Sequence, residues 1–124
     1  MTETTLSRAL ASRLRICGQR ALLPPHLVSA ALSFGPGTEI ADVQQSLRCS
    51  LEEHITGDHH AFVKHLDGPD TGSVWARWSC GQLAGTVVVL PDCRAASAGL
   101  EPCSEFADHP GSHTYDIHDP WVMQ

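Results

Sequence analysis

Hydrophobic residues recur at helical spacing in two stretches of the first half of the chain. In the first stretch, Leu6, Leu10 and Leu14 stand four residues apart, so that they share one side of a helix. In the second stretch, the apolar positions are separated by three or four residues: Ile40, Val43, Leu47, Leu51 and Ile55. The pattern predicts helices over residues 6–20 and 39–54.

The segment between these two helices carries strong helix breakers. Pro24-Pro25 is predicted to stop any helix, because proline lacks the backbone N–H and clashes with the preceding turn. A short apolar piece follows from Leu27 to Phe34 and ends at Gly35-Pro36-Gly37. We therefore expect a turn on each side of this piece.

After Asp58 the pattern changes to one that is typical of strands. Residues 60–66, 74–78 and 86–90 are compatible with β-structure and are separated by turn-forming residues. The last of them, Thr86-Val87-Val88-Val89-Leu90, is a continuous run that is typical of a strand buried on both faces. The sequence predicts a three-stranded antiparallel sheet with the two helices packed on one side.

Residues 91–124 show no helical or strand periodicity and are predicted to form a loop-rich cap. Near its end, Trp121 stands beside Val and Met, and we expect it to dock onto the body of the protein. The predicted fold is a single α+β domain: residues 1–57 mainly helical, residues 58–90 an antiparallel sheet, and residues 91–124 the cap. We expect no internal repeat.

Composition and charge narrow the class of protein. Hydrophobic residues make up 42% of the 124 and charged residues 18%, which predicts a folded core. The net charge is −6 with a single lysine, Lys64, so nucleic acids and anionic membranes should be repelled. No secretory signal or long apolar stretch is visible, and the five cysteines cannot all pair. We expect a cytoplasmic protein, and the arginine-rich, alanine-rich composition suggests a bacterial gene.

The cap holds the best candidate for a metal site, with the spacing Cys-x9-Cys-x5-His-x3-His: Cys93, Cys103, His109 and His113. Two thiolates and two imidazoles are a ligand set for tetrahedral zinc, although the cysteines are further apart than the usual two to four residues. Cys80, at a predicted hairpin tip, could replace Cys93. Asp108, Glu105 or Asp116 could orient the imidazoles.

A metal-free interpretation stands beside the zinc hypothesis. Free cysteines behave as small buried hydrophobes, and histidines are ordinary polar residues of loops. The sequence alone favours the metal-free interpretation, because the spacing of the two cysteines does not match a known zinc pattern.

A second histidine cluster surrounds Asp58 and consists of His54, His59, His60 and His65. It could bind a transition metal or titrate near neutral pH. However, His59 and His60 would point to opposite faces of a strand, and His54 suits the C-terminus of a helix. We therefore expect no shared metal site there.

No catalytic motif accompanies these residues, and we read Trp75 and Trp78 as core residues more than as a stacking platform. The sequence favours a non-enzymatic module, with zinc as its possible cofactor, that acts through contacts with a protein partner. The alternative is a metal-free interaction domain with a groove between residues 27–34 and the sheet, filled by Trp121. A third hypothesis is a cysteine-dependent enzyme with one unusually reactive thiol.

Overall fold

The computed structural model describes residues 14–35, 39–67 and 71–119, which form two small antiparallel sheets, one short helix and long connecting loops. The regular elements in chain order are β1 (Arg20–Leu22), α1 (Pro25–Leu32), β2 (Ser46–Arg48), β3 (His59–His65), β4 (Ser73–Trp78) and β5 (Thr86–Leu90). Two 3₁₀ turns, Ile40–Asp42 and Thr114–Asp116, complete them. Strand β1 pairs with β2, and the second sheet has the order β3-β4-β5.

The three-stranded sheet lies where the alternating pattern predicts it. His59 pairs with Trp78 at one end of the β3–β4 ladder, and Arg77 pairs with Thr86 between β4 and β5. A register shift between Phe62 and Lys64 interrupts the alternation of β3. Because of it, Lys64 is buried and its ammonium group donates to the Phe34 carbonyl, at 2.7 Å.

The core lies between this sheet, α1 and the segment that contains β2. Its most buried side chains include Val63, Val74, Trp75, Ala31 and Leu51. Trp78 is also buried, so both tryptophans belong to the core, as their sequence context indicates.

The prediction of two N-terminal helices packed on the sheet is wrong. In the predicted second helix, only Ile40–Asp42 form a 3₁₀ turn, and the chain then extends into β2. The apolar stripe does not share one buried face, since the Ile55 side chain is fully exposed whereas Leu51 is buried. The backbone N–H groups that would donate within a helix donate instead to carbonyl groups of other segments of the chain.

The predicted first helix is also wrong in its described part. Residues 14–19 are not helical, and Ile16 pairs with Glu52 as an isolated antiparallel bridge. Residues 6–13 of that prediction lie outside the described residues, as does Trp121. The N-terminal 57 residues are therefore not mainly helical in the part that the structure describes.

The α-helix of the described residues begins at a position where the sequence predicts a stop. Helix α1 begins at Pro25 because proline is favourable in the first turn: its missing N–H would have no partner there, and its φ already fits the helix. Leu27, Val28 and Ala31 are buried by this helix. No helix among the described residues has the length and hydropathy needed to cross a membrane.

Strand β5 differs from its prediction in burial. It is paired with β4 on one side and no other strand of the described chain pairs with it, so its side chains are half-buried. Val89 is 41% exposed, which contradicts burial on both faces.

Gly72, immediately before β4, is packed closely against the backbone at the end of β5. Its φ is +81°, and a Cβ at this position would lie 2.3 Å from the Leu90 carbonyl oxygen. We expect Gly72→Ala to lower the free energy of unfolding by about 3 kcal/mol or more, since backbone strain and a steric clash add. Gly81 has the same φ with nothing within 4 Å, so Gly81→Ala should cost only about 1 kcal/mol. Urea denaturation of both variants checks this, and equal losses would contradict it.

Candidate metal centres

The four ligand candidates of the C-terminal cap come together in space: Cys93, Cys103, His109 and His113. Their ligand atoms all lie within 4.8 Å of one another. The Cys103 sulfur is 3.5 Å from His109 Nε2, and the Cys93 sulfur is 3.7 Å from His113 Nδ1. The two imidazole nitrogens, His109 Nε2 and His113 Nδ1, are 3.2 Å apart.

These separations match the edges of a zinc tetrahedron. With bonds of about 2.3 Å to sulfur and about 2.05 Å to nitrogen, sulfur and nitrogen ligands are about 3.6 Å apart and two nitrogens about 3.3 Å. The three distances measured here differ from these values by a few tenths of an ångström. All the ligand atoms lie within 4.8 Å of one another, so the group is compact enough to hold one ion.

The tautomer of His109 also suits a metal ligand. Its Nδ1 lies 3.1 Å from the Pro110 carbonyl oxygen, which can only accept, so Nδ1 carries the proton. Nε2 then holds the lone pair and faces Cys103 and His113. A carbonyl that fixes the other ring nitrogen is the usual support for a ligating histidine.

The local backbone turns the chain so that both imidazoles face inward. Asp108 and Gly111 have positive φ values of 64° and 78°, one on each side of His109-Pro110. The Pro110 carbonyl orients the His109 ring. Among the described residues, Glu105 has no hydrogen-bond partner for either carboxylate oxygen and so does not orient an imidazole. Cys80 is exposed at the hairpin between β4 and β5 and is not part of the group.

A second group with the same composition lies in the N-terminal half: Cys17, Cys49, His54 and His59. Cys17 sulfur is 3.4 Å from His59 Nδ1, and Cys49 sulfur is 3.7 Å from His54 Nε2. His54 Nδ1 lies 2.8 Å from the Thr56 carbonyl, so its proton is on Nδ1 and the Nε2 lone pair faces Cys49. This group also could hold a metal ion.

Sequence reasoning found only half of this second group. Of the predicted histidine cluster, His54 and His59 take part, and His60 and His65 do not. His59 and His60 are neighbours in β3, and only His59 belongs to the group. The expectation of no shared metal site is overturned for His54 and His59, because Cys17 and Cys49 complete a group that could hold an ion.

A short sequence repeat could have revealed the second group. Cys49-Ser50 is followed by His54 and His59, and Cys103-Ser104 by His109 and His113, each set spanning the same distance. In both, a glycine with positive φ stands two residues before the last histidine, at Gly57 and Gly111. The expectation of no internal repeat did not include this short correspondence, in which the first histidine is five residues after Cys49 and six after Cys103.

Burial favours the uncharged forms of three candidate ligands, Cys49, Cys93 and His59. Burial raises the pKa of the Cys49 thiol to about 12, although the backbone N–H groups of His60 and Leu51 partly counteract this. It also raises the pKa of Cys93 and lowers that of His59. A cation at either group would bind the neutral imidazoles directly and would have to displace thiol protons.

Glu105 is a buried carboxyl beside the C-terminal group. Neither of its oxygens has a hydrogen-bond partner of good geometry in the described structure, and only 2% of the residue is exposed. Burial raises its pKa from 4.5 to about 6, while the neighbouring Ser50 hydroxyl offsets part of the rise. The charged form is therefore unfavourable in the folded protein.

Glu105→Gln should stabilise the protein at pH 8 but not at pH 4.5. The folded state binds the carboxyl proton more tightly than the unfolded state, so stability falls as the pH rises from 4.5 through 6. The full penalty, about 2 kcal/mol, is present above pH 6 and is removed in the variant. Thermal unfolding of the two proteins across this range checks the difference, with Glu101→Gln, at an exposed site, as the control. A difference independent of pH would contradict it.

Two groups of two cysteines and two histidines in the described part of the chain could thus each hold a metal ion. Comparison of the chain with models of known protein families, with curated proteins and with solved structures finds no match. Its function must therefore be inferred from the chemistry of these two groups.

Proposed function

We propose that this protein is a small non-enzymatic module, stapled by a structural zinc ion, that acts through contacts with other proteins. Cys93, Cys103, His109 and His113 hold the ion. The observation that carries the proposal is the match between their separations and a zinc tetrahedron, together with a His109 tautomer that directs Nε2 into the group.

Four protein ligands favour a structural ion over a catalytic one. Catalytic zinc sites keep one position open for water or substrate, whereas this group fills all four. Cys103 and His109 are buried, which removes the site from bulk water. Two sulfur and two nitrogen ligands in a tetrahedron favour zinc over the hard cations magnesium and calcium, which prefer oxygen.

The cap also has a physical need for a metal. Between residues 91 and 119 the only regular elements are the 3₁₀ turn and isolated bridges. Ordering such a segment costs about 1–2 kcal/mol per residue in backbone entropy. A structural zinc ion can contribute on the order of 10 kcal/mol, which offsets part of that cost.

Protein contacts are the mode of action that the surface supports. The net charge of −6 disfavours nucleic acid. Leu22 and Leu83 are more than half exposed and lie next to each other in an isolated bridge, a small apolar patch at the edge of β1. The metal-free alternative needs an apolar groove between residues 27–34 and the sheet. Leu27, Val28 and Ala31 of helix α1 are buried in the core, so they do not line such a groove.

The enzyme hypothesis has less support. Cys80 is the exposed cysteine, and none of the described residues forms a hydrogen bond with it, so it lacks the base that an activated thiol needs. The other four cysteines belong to the two metal-ligand groups.

Elemental analysis of protein purified without chelator tests the zinc assignment. Cys103→Ser should lose one zinc ion per chain relative to the unmodified protein and should unfold several degrees lower, because the folding energy supplied by the ion is lost. Cys80→Ser should keep its metal and its stability. Unchanged zinc content in Cys103→Ser would disprove the assignment.

A further inference from the structure

We propose that Cys17, Cys49, His54 and His59 form a second structural zinc site, and that both sites are copies of one metal-binding unit. This inference rests on the proposed function, since it takes the C-terminal group as a zinc site. The main evidence for it lies in the backbone around each pair of cysteines, and the orientation of the histidine rings agrees with it.

The two cysteine-containing segments of each site exchange backbone hydrogen bonds in the same register. In the first unit, Cys17 N–H donates to the Leu51 carbonyl at 2.7 Å, and Cys49 N–H donates to the Gln19 carbonyl at 2.8 Å. In each bond, the acceptor lies two residues beyond the other cysteine.

The second unit repeats this arrangement. Cys93 N–H donates to the Glu105 carbonyl at 2.9 Å, and Cys103 N–H donates to the Ala95 carbonyl at 3.0 Å. Again each acceptor lies two residues beyond the opposite cysteine. Two unrelated loops would have no reason to share both bonds.

The equivalence extends outward from the cysteines on both sides. Before the first cysteine, the bridge Ile16↔Glu52 corresponds to Asp92↔Phe106 at the same offsets. After it, the pair Arg20↔Arg48 corresponds to Ala96↔Pro102. A further bond, Glu53 N–H to the Arg15 carbonyl, has its counterpart in Ala107 N–H to the Pro91 carbonyl.

The histidines follow the same scheme. In each unit the first histidine presents Nε2 and donates from Nδ1 to a nearby carbonyl, while the second presents Nδ1. The units differ in the connection between their cysteines, which holds 31 residues including α1 in the first and 9 residues in the second. This difference explains why cysteine spacing alone does not reveal the repeat.

Zinc content of single-ligand variants tests the second site. We expect two zinc ions per unmodified chain, one in Cys49→Ser and one in Cys103→Ser, with two retained in Cys80→Ser. If Cys49→Ser keeps all the zinc and Cys103→Ser loses it, the second site is disproved and the proposed function stands. If only Cys49→Ser loses zinc, the C-terminal assignment fails instead.

A ligand exchange keeps the test valid if Cys49→Ser does not fold. His59 presents Nδ1, which is only two bonds from Cβ, so a cysteine sulfur in His59→Cys comes close to its position, and the longer bond from the metal to sulfur helps it to reach the ion. With cobalt as the probe, this variant should bind two ions and gain thiolate-to-cobalt absorption relative to the unmodified protein. An unchanged spectrum would show that no ion contacts residue 59 and would overturn the proposal.

A different observation indicates that the two sites are coupled. Glu52 lies between the ligands Cys49 and His54, and its Oε1 accepts a hydrogen bond from Ser112 N–H at 2.9 Å. Ser112 and Gly111 lie between His109 and His113, and a Cβ on Gly111 would be 2.9 Å from the Glu52 Cβ. Thus one side chain of the first ligand loop holds the second ligand loop in place.

We infer that zinc in one site raises the affinity of the other for zinc through Glu52. An ion that fixes the 49–54 loop also fixes Glu52, and the second loop then orders at a lower cost. By thermodynamic linkage the effect is mutual. Glu53 provides a matched control, since it is the same residue type at the next position and is exposed.

The coupling is measured as the zinc affinity of the C-terminal site with and without Cys49→Ser. We expect a loss of about tenfold in the unmodified background and in Glu53→Ala, within the range typical of coupled sites. In Glu52→Ala the affinity should be nearly the same with and without Cys49→Ser. An equal loss in the Glu52→Ala background, or no loss in the unmodified protein, would disprove the coupling.

Discussion

Reciprocal backbone hydrogen bonds between paired cysteine segments are the constraint on which the rest of this structure depends. Each pair brings together two stretches of chain that have little regular structure, and it aims both thiols at the same point. Once the thiols are fixed, a tight turn stabilised by a glycine with positive φ delivers the two imidazoles. The three-stranded sheet and α1 supply the apolar core, but the cysteine pairs determine how the loops fold back on it.

Part of the fold and part of the two metal-ligand groups could be predicted from the sequence, and individual residues show why. The strands over 74–78 and 86–90 could be predicted because aromatic and β-branched residues favour a pleated sheet and turn-forming residues bound them, although the burial of β5 was not. The stripe from Ile40 to Ile55 misled because helical spacing says nothing about long-range backbone partners, which here compete with helix formation. The four C-terminal ligands stand close together in the sequence, so the sequence alone could group them: Cys93, Cys103, His109 and His113. Cys17 could not be grouped with its partners in this way, since they are more than 30 residues away.

Carboxylates have two different roles beside the ligand loops. Glu52 reaches across from one loop to the other and accepts a backbone hydrogen bond, so its charge has a partner. Glu105 is buried without one, at an energetic cost to the folded state. Both glutamates follow a ligand cysteine within three residues, but only Glu52 connects the two ligand loops. Sequence proximity to a ligand therefore does not identify a supporting residue; the direction of the side chain does.

The connection between the two cysteine segments differs greatly in length between the two units, whereas the pairing of the segments is the same in both. From Arg20 to Arg48 the chain passes through 27 intervening residues, whereas from Ala96 to Pro102 it needs 5. Loop-closure entropy rises only with the logarithm of length, so the longer connection costs about 1.5 kcal/mol more. The short turn at residues 97–101 should therefore accept a foreign helix, epitope or binding loop, which makes this unit a scaffold for display.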